Sequence, residues 1–217
     1  MTRHNARATH HCWISKEEAY LARRYEIIVL FHSVLGLRPA IQDWAERLRE
    51  KGHRVHTPDL YGDETAFVEM DDAVRHRDEI GISTLVGRAQ AAVAELPEAL
   101  VYMGFSMGAS VAELLAATRP GAKGAALMHG ALPISEVGVE RWPAGVPISV
   151  HYMEGDSWVD GSAADQLSAA VREAGAPFEV FTYPGSGHLF ADRDSPDYNA
   201  EAAELMFGRV VEFLTRV

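Results

Sequence analysis

From Tyr25 onward, short apolar runs alternate with longer stretches of helical periodicity, and this alternation restricts the chain to few architectures. The strand-like runs are Glu26–Phe31, His53–Thr57, Ala99–Met103, Gly124–His129, Ile148–Met153 and Phe178–Tyr183. Between them, Ala40–Lys51, Ile82–Leu96, Met107–Thr118 and Ala163–Ala174 carry helical patterns, and a last helix is expected from about Ala200 to Leu214. The runs at 26–31, 99–103 and 124–129 are nearly continuous in apolar residues, as strands covered on both faces are. Strand–helix alternation predicts an α/β three-layer sandwich with a mostly parallel sheet of about six to eight strands and right-handed crossovers. Two connections are longer: Leu60–Ile80, acidic and irregular, and Ala131–Pro147, with three prolines and Trp142. Neither is long enough for a separate lid domain.

Composition narrows the partners. The 217 residues carry a net charge of −11, from 31 acidic and 20 basic side chains. With no Lys/Arg cluster to neutralise phosphates, a nucleic-acid partner is not expected, nor is adsorption to an anionic membrane. No apolar run reaches the roughly 18 residues of a membrane span. A single cysteine, Cys12, excludes an intramolecular disulfide framework and suits a reducing, cytoplasmic compartment. Residues 1–22 are polar and read as a flexible extension; the cluster His10-His11-Cys12 lacks a second ligand group at a metal-binding spacing. Neither a metal nor a cofactor is expected.

The chemistry begins at Gly104-Phe105-Ser106-Met107-Gly108, which follows a strand and opens a helix. A serine on such a turn is a nucleophile elbow, with its hydroxyl projecting outward. Chance alone would supply this pentapeptide about once in a dozen chains of such composition, so its context carries the argument. A serine hydroxyl needs a base, and the base needs an orienting acid. His188 lies in a Gly-rich loop just past the run 178–183, and Asp156 follows the run 148–153. Ser106, Asp156 and His188 each sit just after a strand, in the chain order this architecture uses. Glu154 and Asp160 are the rival acids, and His129, at the end of another strand, is the rival base. The backbone N–H groups of Met107 and Val34 are the expected oxyanion donors, and His32, Ser33, His129 and Trp158 are candidates for the substrate pocket.

These residues together resemble the dienelactone hydrolase family of the α/β-hydrolase fold. The likeness runs through Gly36-Leu37-Arg38-Pro39, Pro58-Asp59-Leu60-Tyr61-Gly62, the elbow, Gly155-Asp156 with Val159, Gly187-His188-Leu189-Phe190 and Tyr198-Asn199-Ala200-Glu201-Ala202-Ala203. It implies one domain over residues 23–217. The resemblance also marks three departures: Ser106 stands where the family archetypes have a cysteine, Ser33 where they have a glutamate, and Asp192 where an arginine holds the substrate carboxylate. An anionic substrate beside Asp192 would be repelled, so a neutral one is expected.

The expected function is therefore a serine-dependent hydrolase of small carboxylic esters, lactones or thioesters, working through an acyl-enzyme. The alternative is a scaffold of the same fold that binds a small ligand without useful turnover.

Overall fold

The structure is a computed structural model described for residues 25–217, so the expectations for residues 1–22 lie outside it. Its strands are β1 (Ile27–Phe31), β2 (Arg54–His56), β3 (Val101–Phe105), β4 (Gly124–Met128), β5 (Ile148–Met153) and β6 (Phe178–Tyr183). They form one parallel sheet in the order β2-β1-β3-β4-β5-β6. The helices are α1 (Pro39–Glu50), α2 (Met70–Ile80), α3 (Ile82–Val93), α4 (Met107–Thr118), α5 (Gly161–Glu173) and α6 (Ala200–Leu214).

Side chains alternate across each strand, and the sheet therefore carries two cores. Ile28, Leu30, Val101 and Met103 face α1 and α6, where Trp44, Leu48, Met206 and Val210 cover them. Val29, Phe31, Tyr102 and Leu127 face the opposite way, toward α3, α4 and α5 with Leu85, Val111 and Leu167. β3 and β4 are buried along their whole length, which explains their unbroken apolar sequence.

One expected loop is a helix. The segment Leu60–Ile80 contains α2, with Ala73 as its one fully buried residue. The connection between β4 and β5 has no helix or strand of its own.

The strand order positions the site. From β1 the chain crosses to β2 on one side, then returns past β1 to β3 on the other. The crevice beyond the carboxyl ends of β1 and β3 is thus the switch point, where ligands bind in open α/β sheets. Ser106 follows β3, and His32, Ser33 and Val34 follow β1.

Candidate active site

The elbow is shaped by close backbone approach. A Cβ on Gly104 would lie 2.0 Å from the Gly108 carbonyl oxygen, and one on Gly108 would lie 2.5 Å from the carbonyl oxygens of Phe31 and His32. Both glycines are therefore required for α4 to start directly on β3. Ser106 takes φ +52° and ψ −112°, a conformation that side chains other than Gly adopt at a cost of about 1–3 kcal/mol. Its N–H donates to the Met128 carbonyl at 2.8 Å, which fixes the strained residue to the end of β4.

Ser106, His188 and Asp156 come together. Ser106 Oγ is 2.7 Å from His188 Nε2, and His188 Nδ1 is 2.7 Å from Asp156 Oδ2. Asp156 and His188 are buried, whereas Ser106 is half-buried at the cavity. The second Asp156 oxygen, Oδ1, accepts from the Trp158 N–H at 2.9 Å, so the carboxylate is held at both ends. The rival acids have other partners: Glu154 is exposed and accepts from the Thr182 hydroxyl, and Asp160, although it lines the same cavity, caps α5 by accepting from the Ser162 N–H.

Sequence reasoning missed Asp197. Its Oδ2 accepts from the N–H groups of His188 at 3.0 Å and Leu189 at 3.3 Å, fixing the backbone that carries the imidazole. An aspartate nine residues along a loop carries no local signal of that role.

Val34 and Met107, whose N–H groups are the expected oxyanion donors, line the same cavity as Ser106. Met107 is the first residue of α4, and its N–H has no intrahelical acceptor. The Val34 N–H belongs to the peptide whose carbonyl is that of Ser33. That carbonyl accepts from His32 Nδ1 at 2.7 Å and from the Gly36 N–H at 3.1 Å. The next carbonyl, of Val34, accepts from the Tyr61 hydroxyl. This loop is therefore held from three directions.

A cavity of about 570 Å³ opens at Ser106, within the range of roughly 300–1,000 Å³ for small-molecule sites. His129 and Trp158 line it. Trp158 is 57 % exposed, and its ring centroid lies 5.7 Å from that of His188. His129 takes φ +68° and packs edge-on against Phe190 at 4.8 Å. Neither of its ring nitrogens has a hydrogen-bond partner among the described residues, and burial, first, and then the nearby His188 hold the imidazole well below its ordinary pKa of 6.5. A neutral ring of this kind stands beside His188 as packing.

Two pocket candidates are corrected. His32 and Ser33 do not line the cavity. His32 is fully buried, its Nε2 accepting from the Leu60 N–H at 3.0 Å, and Ser33 Oγ accepts from the Leu35 N–H at 3.2 Å. Both stabilise the loop that presents Val34.

Asp192 is likewise not a pocket residue. It is 2 % exposed, with Oδ2 lying 3.5 Å from Arg38 Nη1, so its charge faces a buried cation and not the substrate. Asp192 is thus no source of repulsion that would select a neutral substrate. Arg193 and Arg75 do not replace it, being paired with Asp43 and Asp72. Among the described residues, no cluster of three or more His, Cys, Asp or Glu could hold a metal ion. Nor is any helix there long and apolar enough to cross a membrane.

Comparison with known proteins agrees with this architecture. The dienelactone hydrolase family model matches residues 14–217. A carboxymethylenebutenolidase of Rhodococcus opacus is 27% identical over 212 residues, covering 88% of this chain and 81% of the relative. Among solved structures, a dienelactone hydrolase-like promiscuous phosphotriesterase from metagenomic libraries superposes with a TM-score of 0.74 at 19% identity, covering 90% of this chain and 87% of that one. A thermophilic esterase of Thermogutta terrifontis, solved with propionate bound, gives 0.65 at 20% identity, covering 90% and 84%. With a family match over nearly its whole length, the chain belongs to the dienelactone hydrolase family and is a carboxylic ester hydrolase.

Proposed function

We propose that the protein hydrolyses carboxylic esters, lactones or thioesters through a Ser106–His188–Asp156 triad and an acyl-enzyme. The observation that carries this reading is the continuous hydrogen-bonded chain, with both links at 2.7 Å, that ends at a half-buried serine opening into the cavity.

Ser106 Oγ attacks the substrate carbonyl carbon while His188 Nε2 takes the hydroxyl proton. Asp156 accepts from His188 Nδ1–H, selecting the tautomer with a free Nε2 and stabilising the imidazolium that forms. The carbonyl oxygen becomes an oxyanion held by the N–H groups of Met107 and Val34, aided by the N-terminal end of the α4 dipole. His188 then gives its proton to the leaving oxygen or sulfur, which departs from the acyl-enzyme. Water, deprotonated by the same imidazole, attacks the acyl carbon, and the proton returns to Ser106 as the acid leaves.

The test uses wild type and Ser106→Ala with p-nitrophenyl butyrate and a fluorophosphonate probe. The wild type is expected to turn over the ester and take the label at Ser106, and the variant to do neither. Undiminished turnover by Ser106→Ala would exclude Ser106 as the nucleophile. Reversible ligand binding with neither turnover nor labelling in the wild type would favour the binding scaffold.

A further inference from the structure

The cavity is more extensive than a short ester requires, and part of its lining follows α4. Met107, Ser110, Val111 and Leu114 line it together with Ser106. Those positions form one stripe along the helix, starting at the nucleophile and continuing for about 12 Å at 1.5 Å per residue. The facing walls are also helical stripes. α3 contributes Leu85 and Val86, and α2 contributes Met70 and Val74.

This helical wall offers little to a polar substituent. Ser110 is the one hydroxyl it adds beyond Ser106, and Arg77 its one cation; the carboxylates of the cavity, Glu136 and Asp160, belong to the loop after β4 and to the turn before α5. The guanidinium is already engaged: Arg77 Nε donates to Asp78 Oδ1 at 2.9 Å, and Nη2 lies 2.7 Å from the same oxygen. Ile82, also on the lining, is 59 % exposed, an arrangement that leaves apolar surface open to water unless something apolar covers it.

The direction of the chain follows from the chemistry. The leaving group must depart within reach of His188 Nε2, beside which Trp158 stands at 5.7 Å between centroids. The carbonyl oxygen must face the Met107 N–H. The α4 stripe begins at Met107, beside that donor, and runs away from the elbow.

We propose that the arm of the cavity between α2, α3 and α4 is an acyl subsite for an unbranched aliphatic chain, with Leu114 at its far end limiting the length. This rests on the serine-hydrolase reading above, and it names the substrate class: medium-chain acyl esters or thioesters, bound by hydrocarbon burial instead of charge.

The test compares p-nitrophenyl acetate, butyrate, octanoate and dodecanoate, whose leaving group is constant. Burying each added methylene is expected to raise kcat/KM by up to about fourfold until the arm is full. Leu114→Trp is expected to lower the octanoate-to-acetate ratio of kcat/KM at least tenfold. Leu114→Ala is expected to move the optimum toward dodecanoate, and this opposite shift keeps the test valid if the tryptophan variant does not fold. A flat acyl series with Ser106-dependent turnover would overturn the subsite while leaving the hydrolase reading intact. Chain-length selection in octyl acetate against ethyl acetate, but not in the acyl series, would assign the arm to the alcohol and overturn the proposal.

Octanol binding to Ser106→Ala, followed by calorimetry, supplies a readout independent of turnover. Saturable binding that Leu114→Trp abolishes supports an apolar chain site even if the hydrolase reading fails. Absence of binding overturns it.

Discussion

His32 Nδ1 donates to the carbonyl oxygen of Ser33 at 2.7 Å, and the peptide so held is the one whose N–H is that of Val34. The Leu60 N–H donates to the other ring nitrogen at 3.0 Å, so the ring is held from both sides. A fully buried histidine thus acts on the backbone of the proposed oxyanion loop, not on the substrate. His32→Leu is expected to lower kcat by about ten- to a hundredfold, less than the roughly 10²–10³ lost when a whole oxyanion donor is removed. KM should change little, because the oxyanion forms only after binding. The check is steady-state kinetics corrected for active-site concentration by fluorophosphonate titration. A variant that melts at lower temperature yet keeps the wild-type kcat would remove His32 from the oxyanion argument.

Asp156 has two separable tasks, because Oδ2 meets the imidazole while Oδ1 accepts from the Trp158 N–H. Asp156→Asn can keep an oxygen toward Trp158 but then presents an amide N–H to His188 Nδ1. That reverses the tautomer and leaves Nε2 protonated, where it cannot accept the serine proton. The expected loss is about 10⁴ in kcat with the melting temperature little changed. A loss below tenfold would mean that Asp156 is not the orienting acid.

Two buried groups make stability respond to pH in opposite directions. His151 is held down to about 3, first by burial and then by Arg209, while its ring nitrogens meet Ser149 Oγ at 2.8 Å and the Tyr183 hydroxyl at 2.9 Å. Below its ordinary value of 6.5 the unfolded chain binds a proton that the fold refuses, so this residue costs stability progressively as pH falls from 6.5 toward 3. Glu113 is raised to about 8, first by burial, and Oε2 accepts from the Leu132 N–H at 3.0 Å. Here the unfolded carboxyl ionises from 4.5 upward while the folded one stays protonated, so stability is lost as pH rises from 4.5 to about 8. Glu113→Gln removes that loss. Relative to wild type, its stability should therefore grow by about 2–3 kcal/mol between pH 5.5 and 7.5, by linkage. Urea denaturation at the two pH values measures this, and a difference independent of pH would show that Glu113 is ionised in the fold.

Most of the framework was readable because each strand carries its signal locally. Unbroken apolar runs mark β1, β3 and β4, and the chemistry at their ends follows from strand–turn geometry, as with Ser106. α2 was not readable because its apolar residues Met70 and Val74 face the cavity and only Ala73 is fully buried, so no continuous core stripe forms. Tyr61 and Asp197 were missed for another reason. Each acts on backbone through a contact that only the tertiary fold creates, Tyr61 on Val34 and Asp197 on His188. Asp192 shows the converse error. Its place after His188 suggested a substrate contact, but its side chain turns to Arg38, which is 154 residues away in sequence and which no local pattern connects to it.

That Arg38–Asp192 pair ties the loop after β1 to the loop carrying His188. Arg38 and Asp192 are 7 % and 2 % exposed, with Nη1 and Oδ2 3.5 Å apart. Around them, Arg38 Nη2 donates to the Asp194 carbonyl, the Ala40 N–H donates to Asp194 Oδ2 at 3.2 Å, and the Asp194 N–H donates to Asp192 Oδ1 at 2.9 Å. Burial pushes the Asp192 carboxyl above its ordinary value, while the Asp194 N–H and Arg38 pull it back. Removing Arg38 alone leaves a buried carboxylate uncompensated, so Arg38→Met should cost about 3–5 kcal/mol in urea denaturation at neutral pH. The loss should shrink in acid, because protonating Asp192 removes the stranded charge; a raised carboxyl favours the fold at low pH. Combining Arg38→Met with Asp192→Leu replaces both charges by hydrocarbon and should recover most of the loss, since buried pairs exchanged for apolar groups are often close to neutral. Strict additivity of the two single substitutions would mean that the charges do not interact and that the two loops are held by their backbone hydrogen bonds instead.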